Sequence, residues 1–262
     1  MAKGNFPACL AVTLKHEGGW SDHPKDPGGA TMKGVTIGTF RAFKGRQVTK
    51  DELRAISDDD LQAIYKKGYW APISGDFLPK GVDLAVFDYG VNSGPARAVR
   101  ALQGLVGVTQ DGRVGPKTVR AASTAVRGDE LVKKLCAQRL SFVRGLATWS
   151  TFGRGWTRRI AEIEAVGVSM WLSANATPAG RKMGLEAEAE RAAKAAKTQS
   201  ATATAAGAGG VTGGATDIAL DPSMLLIGLA ALVVVAGMLS VKARSNRARA
   251  VAYAVAAAEV AA

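Results

Sequence analysis

Apolar positions near the N-terminus recur at helical spacing. One predicted helical face, at i, i+3, i+4 and i+7, comprises Leu10, Thr13, Leu14 and Glu17. Pro7 suits the first turn of this helix, because its missing N–H would be unpaired there. Gly18 and Gly19 end the helix directly after Glu17. The pattern therefore predicts a short helix whose mostly apolar face finishes on a carboxyl group.

The rest of the first 175 residues alternates between turn-forming and helical segments. Prolines and glycines crowd residues 24–34, and residues 35–40 are expected to form a short strand or hairpin arm. A helical pattern starts at residue 96, a turn is expected at 111–116, and further helices follow. Their apolar positions include Ala98, Leu102, Leu105, Leu131, Leu135 and Phe142. We therefore expect a mainly α-helical fold with a small β-hairpin.

The last third of the chain has a different composition. Residues 186–197 are charged and alanine-rich, which predicts a helix without an apolar face. Residues 198–216 are small and are expected to form a flexible linker. Residues 224–241 carry no charge, and as a helix they would extend about 27 Å, near the thickness of a bilayer core. We interpret this last stretch as a single transmembrane helix.

The charges around residues 224–241 predict a topology. Asp217 and Asp221 precede the apolar stretch, whereas four basic residues follow it, namely Lys242, Arg244, Arg247 and Arg249. The positive-inside rule then places the C-terminal tail in the cytoplasm and the large N-terminal domain in the periplasm. The N-terminus lacks the pattern of a secretory signal, so the export route is open.

The composition limits the classes of partner. The 262 residues carry a formal net charge of +12, most of it before residue 175, which suits an anionic polymer such as nucleic acid, a phospholipid surface or a bacterial cell wall. No nucleic-acid reader motif accompanies the charge. The basic cluster Arg154, Arg158 and Arg159 is either a contact to an anionic wall or a solvated face. The two cysteines are too few for a disulfide framework or a zinc site.

The chemistry is densest around Glu17. A carboxyl at the end of an apolar stripe is partly desolvated, which favours a protonated general acid, although an exposed glutamate at a frayed helix end has the same spacing. Asp22, Asp26 and Thr31 follow within fifteen residues, in a segment that must turn repeatedly. A helix-terminal glutamate that faces such a segment is the layout that glycoside hydrolysis requires.

Two other catalytic classes are excluded. His16-Glu17 matches the opening of a zinc metalloprotease motif, but Trp20 stands where the second histidine is needed. A serine hydrolase of the nucleophile-elbow type needs a Gly-x-Ser-x-Gly motif, and the chain has none.

Several motifs together resemble glycoside hydrolase family 108, the N-acetylmuramidase lysozymes of phages and Gram-negative bacteria. The first motifs are Glu-Gly-Gly-Trp at 17–20, Asp-Pro-Gly-Gly-Ala-Thr at 26–31 and Gly-Val-Thr at 34–36. The later ones resemble the peptidoglycan-binding module that follows the catalytic half in this family. They are Phe-Asp-Tyr-Gly-Val-Asn-Ser-Gly-Pro at 87–95, Ala-Leu-Gln at 101–103 and Asp-Gly-Arg-Val-Gly-Pro-Lys-Thr at 111–118. The resemblance spans about residues 5–175.

The resemblance implies a helical lysozyme-like fold that cleaves the β-1,4 bond between N-acetylmuramic acid and N-acetylglucosamine. The catalytic glutamate of the family carries over onto Glu17. The chain departs from the family pattern at His23, where an aspartate is usual, and at Lys33, where an aromatic residue is favoured. The group that assists Glu17 is therefore either Asp26 or Thr31, and we prefer Asp26 because a carboxylate stabilises developing positive charge.

Six residues are candidates for substrate binding. Trp20, Tyr69 and Trp70 are expected to stack on sugar rings or to pack in the core. Asp88, Asn92 and Ser93 lie near Gly90 and Gly94 and are expected either to line the groove or to cap the helix that begins at residue 95.

We thus expect five segments. They are a muramidase domain at 1–92, a peptidoglycan-binding-like helical module at 93–178, a charged helix and linker at 179–222, a transmembrane helix at 223–241 and a basic, then alanine-rich tail at 242–262. The sequence predicts a muramidase that needs no metal or other cofactor, uses Glu17 as general acid and is tethered to the inner membrane. The alternative is an inactive structural protein that binds peptidoglycan.

Overall fold

The computed structural model describes residues 3–22, 28–124, 127–208 and 222–260, without the side chains of 207–208 and 222–230. The chain divides into two compact units, Met1–Leu146 and Ala147–Ala262. Across the described residues the fold is mainly helical with one small sheet, as the sequence predicts.

The described residues of the first half of unit 1 form four helices and a small sheet. Its elements are α1 (Phe6–Leu14), β1 (Trp20–Ser21), β2 (Thr31–Met32), β3 (Val35–Thr36), α2 (Ile37–Lys44), α3 (Lys50–Arg54) and α4 (Asp58–Tyr65). One π-helical turn, Lys66–Trp70, continues α4, and a short 3₁₀ turn follows at Gly75–Phe77. Helix α1 begins near Pro7 as expected, but it ends at Leu14, so Glu17 lies in the turn after the helix.

The strands form an antiparallel three-stranded sheet in the order β1-β2-β3. Ser21 pairs with Thr31, and Met32 pairs with Val35 across a two-residue hairpin turn. Both turn residues have positive φ, 47° at Lys33 and 78° at Gly34, which is the conformation of a type I′ turn. The strand predicted at 35–40 is only two residues long, because Thr36 caps helix α2 through a hydrogen bond from the Thr39 N–H.

The second half of unit 1 has four more helices among its described residues, α5 (Val82–Ser93), α6 (Pro95–Leu105), α7 (Pro116–Thr124) and α8 (Gly128–Arg144). Helix α5 is the central element, because each of its residues from Val82 to Gly90 is buried. The aromatic part of the core contains Phe6, Trp70 and Phe87, whose ring centroids lie 5.4–6.0 Å apart. Helix α5 thus joins the N-terminal helix to the rest of unit 1.

Two buried carboxylates fix helix α5 to its neighbours. Asp83 accepts hydrogen bonds from the side chain of Asn5 and from the main-chain N–H groups of Gly81 and Leu84. Asp88 forms a 2.5 Å ion pair with Arg139 of α8, and both side chains are almost completely buried. These contacts hold α1 and α8 against α5.

The turn predicted at 111–116 is held by one buried amide. The Nε2 group of Gln103 donates to the carboxylate of Asp111 and to the carbonyl of Arg113, while its Oε1 atom accepts from the N–H of Gly112. The hydrogen bond from Gln103 is the largest of the effects that lower the pKa of Asp111. The Ala-Leu-Gln and Asp-Gly-Arg motifs are therefore parts of one structural unit.

In the part of unit 2 that the structure describes, there are three long helices, α9 (Trp149–Asn175), α10 (Pro178–Ala208) and α11 (Pro222–Glu259). Helix α10 includes residues 198–208, which composition had assigned to a flexible linker, and residues 209–216 of that stretch lie outside the described residues. Leu185, Ala192, Ala196 and Ala203 of α10 are buried. Helix α10 therefore has a small apolar face, contrary to the expectation for residues 186–197.

The prediction of a transmembrane helix at 224–241 is wrong. Within the described part of the chain, no helix reaches the combined length and hydropathy needed to cross a bilayer. The same finding contradicts the predicted single-pass location in the inner membrane, with a periplasmic domain and a cytoplasmic tail. Helix α11 instead runs on through the basic segment, where Arg249 and Tyr253 both bind the buried carboxylate of Glu164 on α9.

Candidate active site

Glu17 lies at the junction between helix α1 and the sheet. The N–H of Glu17 donates to the carbonyl of Leu14, which closes the turn after α1, and β1 starts three residues later. The Glu17 side chain is neither buried nor fully exposed. The turn therefore presents a half-buried carboxyl group beside the first strand.

The hairpin turn between β2 and β3 packs against this carboxyl group. A Cβ atom built on Gly34 would lie 2.9 Å from Oε2 of Glu17 and would overlap the hydroxyl of Tyr65. That hydroxyl donates a 2.9 Å hydrogen bond to the carbonyl of Lys33. Glycine is required at position 34 for two reasons, its positive φ and the space occupied by the two side chains. Glu17, Gly34 and Tyr65 thus form a compact cluster.

Tyr69 also belongs to this neighbourhood. It lies in the π-helical turn after α4, half-buried, with its ring centroid 5.5 Å from that of Tyr65. Burial raises the pKa of the Tyr69 phenol, and the negative charge of Glu17 raises it further. The phenol of Tyr69 is therefore within electrostatic range of Glu17, and its ring remains partly accessible for a ligand.

Trp20 is held at the edge of the sheet. It begins β1, pairs with Met32, and remains partly exposed. The guanidinium of Arg54 lies 4.4 Å from the centre of its ring, a cation–π geometry that fixes one face. A partly exposed, oriented indole of this kind is compatible with sugar stacking.

Of the two candidates for the group that assists Glu17, the structure describes Thr31 and not Asp26. Thr31 lies in β2, half-buried, and its hydroxyl donates to the carbonyl of Gly29 at 3.0 Å. Asp26 falls outside the described residues, as does His23. Asp22 is described, and its carboxylate binds Lys50 at 2.9 Å on the surface.

Two residues proposed for substrate binding are instead in the core. Trp70 is 1% exposed, and its indole packs against Phe6, Phe87 and the main chain of Gly75. Asp88 is fully buried in the ion pair with Arg139. Neither side chain is accessible to a glycan, because helix packing has turned both away from the surface.

Asn92 and Ser93 remain at the surface, at the C-terminal end of α5. Asn92 is exposed, and its side-chain carbonyl accepts a 3.2 Å hydrogen bond from Ser93. Neither residue caps the next helix, because the N-cap position of α6 is Gly94 and no side-chain hydrogen bond caps that helix. Their accessibility keeps them as candidates.

Tyr65 is a residue of the Glu17 cluster that the sequence pattern did not identify. Its position fits the apolar face of α4 with Leu61 and Ile64, so the pattern marks it as a core residue. Only its spacing of four residues from Tyr69 hints that the two phenols share a face. In the described ranges, no group of three or more His, Cys, Asp or Glu side chains is placed to hold a metal ion.

The assembled neighbourhood suits acid catalysis on a sugar. A half-buried carboxyl next to a phenol and a tight turn can present a proton to an oxygen atom of a bound ligand. Partly exposed aromatic rings beside it, such as Trp20 and Tyr69, can contact the apolar face of a pyranose.

Comparison with known proteins agrees with this chemistry. Residues 10–94 match the family model described as glycosyl hydrolase 108, and residues 97–161 match the one described as predicted peptidoglycan domain. No curated protein matches the chain. Among solved structures, the chain resembles the one titled "Structure of Brucella abortus SagA", with 43% sequence identity and a TM-score of 0.58. The match covers 64% of this chain and 96% of that one.

The two family models follow each other along the chain in the order that the motifs predict. Together with the identity to SagA they establish the class of enzyme. The chain is a peptidoglycan hydrolase and belongs to glycosyl hydrolase family 108, a family of lysozyme-like glycosidases, with a peptidoglycan-binding domain after the catalytic region.

Proposed function

We propose that this protein hydrolyses the β-1,4 bond between N-acetylmuramic acid and N-acetylglucosamine, with Glu17 as the general acid. The observation that carries the proposal is the packing of the Glu17 carboxylate against Gly34 in the hairpin turn, beside the hydroxyl of Tyr65. The glycan lies across the partly exposed rings of Trp20 and Tyr69, and residues 1–92 form the catalytic domain, followed by a wall-binding module at 93–178.

In the proposed reaction, the carboxylic acid of Glu17 gives its proton to the glycosidic oxygen as the C1–O bond breaks. Positive charge then develops on the sugar ring, and a water molecule supplies the new C1–O bond. The proton released by that water returns the carboxyl group to its acid form. A second group stabilises the positive charge or activates the water, and Asp26 and Thr31 are the two candidates.

The experiment compares the full-length wild-type protein with Glu17→Gln on purified peptidoglycan. We expect wild-type protein to release new reducing ends of muramic acid, and Glu17→Gln to lose about a hundredfold or more of this activity, because the amide cannot donate the proton. Glu190→Gln is the matched control, since it makes the same replacement on the exposed surface of α10 and should keep full activity.

The second group is tested in the same assay with Asp26→Asn and Thr31→Val. The variant that replaces the residue assisting Glu17 should lose most of its hydrolytic activity but should still bind peptidoglycan. Full activity in Glu17→Gln would overturn the assigned role, and release of reducing N-acetylglucosamine would overturn the assigned bond. Binding without hydrolysis by wild-type protein would favour a structural, wall-binding role.

A further inference from the structure

Unit 2 contains a pocket that plays no part in the chemistry described above. It is a cavity of about 390 Å³ between the first turns of α9 and one face of α11. Helix α9 contributes Trp149, Thr157 and two arginines, Arg154 and Arg158, and α11 contributes Arg244. We call these five residues the arginine pocket. Its volume is in the range of sites for small ligands or for parts of a polymer.

The charge of the arginine pocket is uncompensated. Among the described residues, no carboxylate lines the cavity, and Arg154, Arg158 and Arg244 take part in no ion pair. Arg154 and Arg158 are four residues apart, so they lie on the same face of α9. Three guanidinium groups around one cavity repel each other, and an anion between them would relieve the repulsion. Guanidinium groups bind carboxylates in a bidentate geometry.

Trp149 gives the pocket an aromatic wall. A Cβ atom on Gly153 would lie only 2.7 Å from the indole of Trp149, so the absence of a side chain at Gly153 lets the ring lie across the helix. Trp156 and the half-exposed Phe152 extend the aromatic surface, with ring centroids 5.6 Å apart. The ligand that fits this arrangement combines an anionic group with an apolar sugar face or methyl group.

We propose that the arginine pocket binds carboxylate groups of peptidoglycan, with the sugar or alanine methyl next to each carboxylate packed on Trp149. The proposal rests on the function of the chain as a peptidoglycan hydrolase. Four of the five residues of the pocket lie within residues 97–161, the part that matches the peptidoglycan domain. Peptidoglycan offers carboxylates on its stem peptides beside methyl groups and N-acetylated sugars, which is the combination that the pocket requires.

The test measures sedimentation of full-length protein with purified sacculi, in a Glu17→Gln background so that the sacculi remain intact. Arg154→Gln/Arg158→Gln should lower the affinity about tenfold, because two charge-assisted contacts are lost. Sacculi whose carboxylates have been amidated should bind the parent protein about tenfold more weakly, with little further loss in the arginine variant. Both arginines are exposed, so the variant should fold normally.

Two further variants separate a specific site from general charge. Lys194→Gln/Lys197→Gln removes the same charge from exposed positions on α10 and should stay within about twofold of the parent. Gly153→Ala keeps all charges but displaces the Trp149 ring, and it should weaken binding measurably. Hydrolysis of soluble glycan fragments by the wild-type protein is assayed separately, so a failure of catalysis is not mistaken for a failure of the pocket.

Three results would overturn the proposal. The first is an unchanged affinity of the Arg154→Gln/Arg158→Gln variant for sacculi. An equal loss in the lysine variant would mean that charge alone drives binding. Arginine-dependent binding to phosphatidylglycerol vesicles, together with indifference to amidation of the sacculi, would identify a phosphate-bearing ligand instead.

Discussion

Tyr65 donates a 2.9 Å hydrogen bond to the carbonyl of Lys33 and thereby fixes the hairpin turn whose next residue, Gly34, touches the carboxylate of Glu17. The last residue of α4 thus determines where the carboxyl group of Glu17, in the turn after α1, meets the sheet. Two predictions follow from this contact, and two more from the carboxylates of α5.

Gly34→Ala should lower hydrolysis about tenfold or more. The new methyl group would overlap the Tyr65 hydroxyl and crowd Oε2 of Glu17, so the carboxylate must move. The positive φ of 78° adds about 1–2 kcal/mol of strain. Gly45→Ala is the matched control, because Gly45 has a φ of 66° with no heavy atom near its Cβ position. Gly34→Ala should therefore lose more stability than Gly45→Ala in denaturation assays, and only Gly34→Ala should lose activity in reducing-end assays.

Tyr65→Phe should destabilise the protein by about 1 kcal/mol and reduce turnover, because the Lys33 carbonyl loses its donor and the turn loosens around Glu17. Tyr89→Phe removes a hydroxyl from another core tyrosine, packed against Phe142, and should leave turnover unchanged. Urea denaturation and initial rates on purified peptidoglycan measure the two effects. Equal rates for wild-type protein and Tyr65→Phe would contradict the positioning role.

The buried carboxyl of Asp83 should make stability depend on pH. Burial raises its pKa from 3.8 to about 6, and hydrogen bonds from Asn5, Leu84 and Gly81 offset only part of that rise. The folded state therefore favours the protonated form, so the contribution of Asp83 to stability is complete below about pH 4. It is lost as the pH rises through about 6 and amounts to about 3 kcal/mol.

Asp83→Asn removes this titration. The free energy of unfolding, measured with urea at pH 4 and at pH 7, should change less in the variant than in wild-type protein. The variant should therefore be less stable relative to wild type at pH 4 than at pH 7. An identical pH profile for the two proteins would show that Asp83 does not carry the effect.

Arg139→Met should destabilise unit 1 by about 3–5 kcal/mol, because the fully buried carboxylate of Asp88 would be left without its cation. Asp88→Leu/Arg139→Met should recover most of this loss, since both charges are then gone. Arg46→Gln is the control for an accessible pair, because the side chains of Arg46 and Glu52 are 56% and 39% exposed, and it should shift the midpoint far less. The measurement is the midpoint of chemical denaturation.

Local patterns were sufficient for the start of the first helix and for the turn of the hairpin. Pro7 marked the start of α1, and the glycines around residue 34 marked a turn near Glu17, because both residue types act on the backbone alone. The burial of Trp70 and of Asp88 depends on partners distant in sequence. Arg139 lies 51 residues beyond Asp88, and no local spacing links the two.

The errors in the C-terminal third have a related cause. Small residues between 198 and 208 indicate flexibility when considered alone, yet alanines also let two helices approach closely, as Ala203 of α10 and Ala256 of α11 illustrate by their burial. The transmembrane prediction for 224–241 rested on the absence of charge, whereas within the described residues no helix reaches both the length and the hydropathy needed to cross a bilayer.

The contact of Arg249 and Tyr253 with Glu164 also limits how the protein can be shortened for experiments. A fragment that ends near residue 180 would retain α9 but remove α10 and α11, leaving the Glu164 carboxylate without either donor. Ile160, Ile163 and Val168, buried in the full chain, lie along the same helix. Such a fragment is expected to aggregate through α9, so a catalytic assay that fails with it would report on the missing helices and not on Glu17.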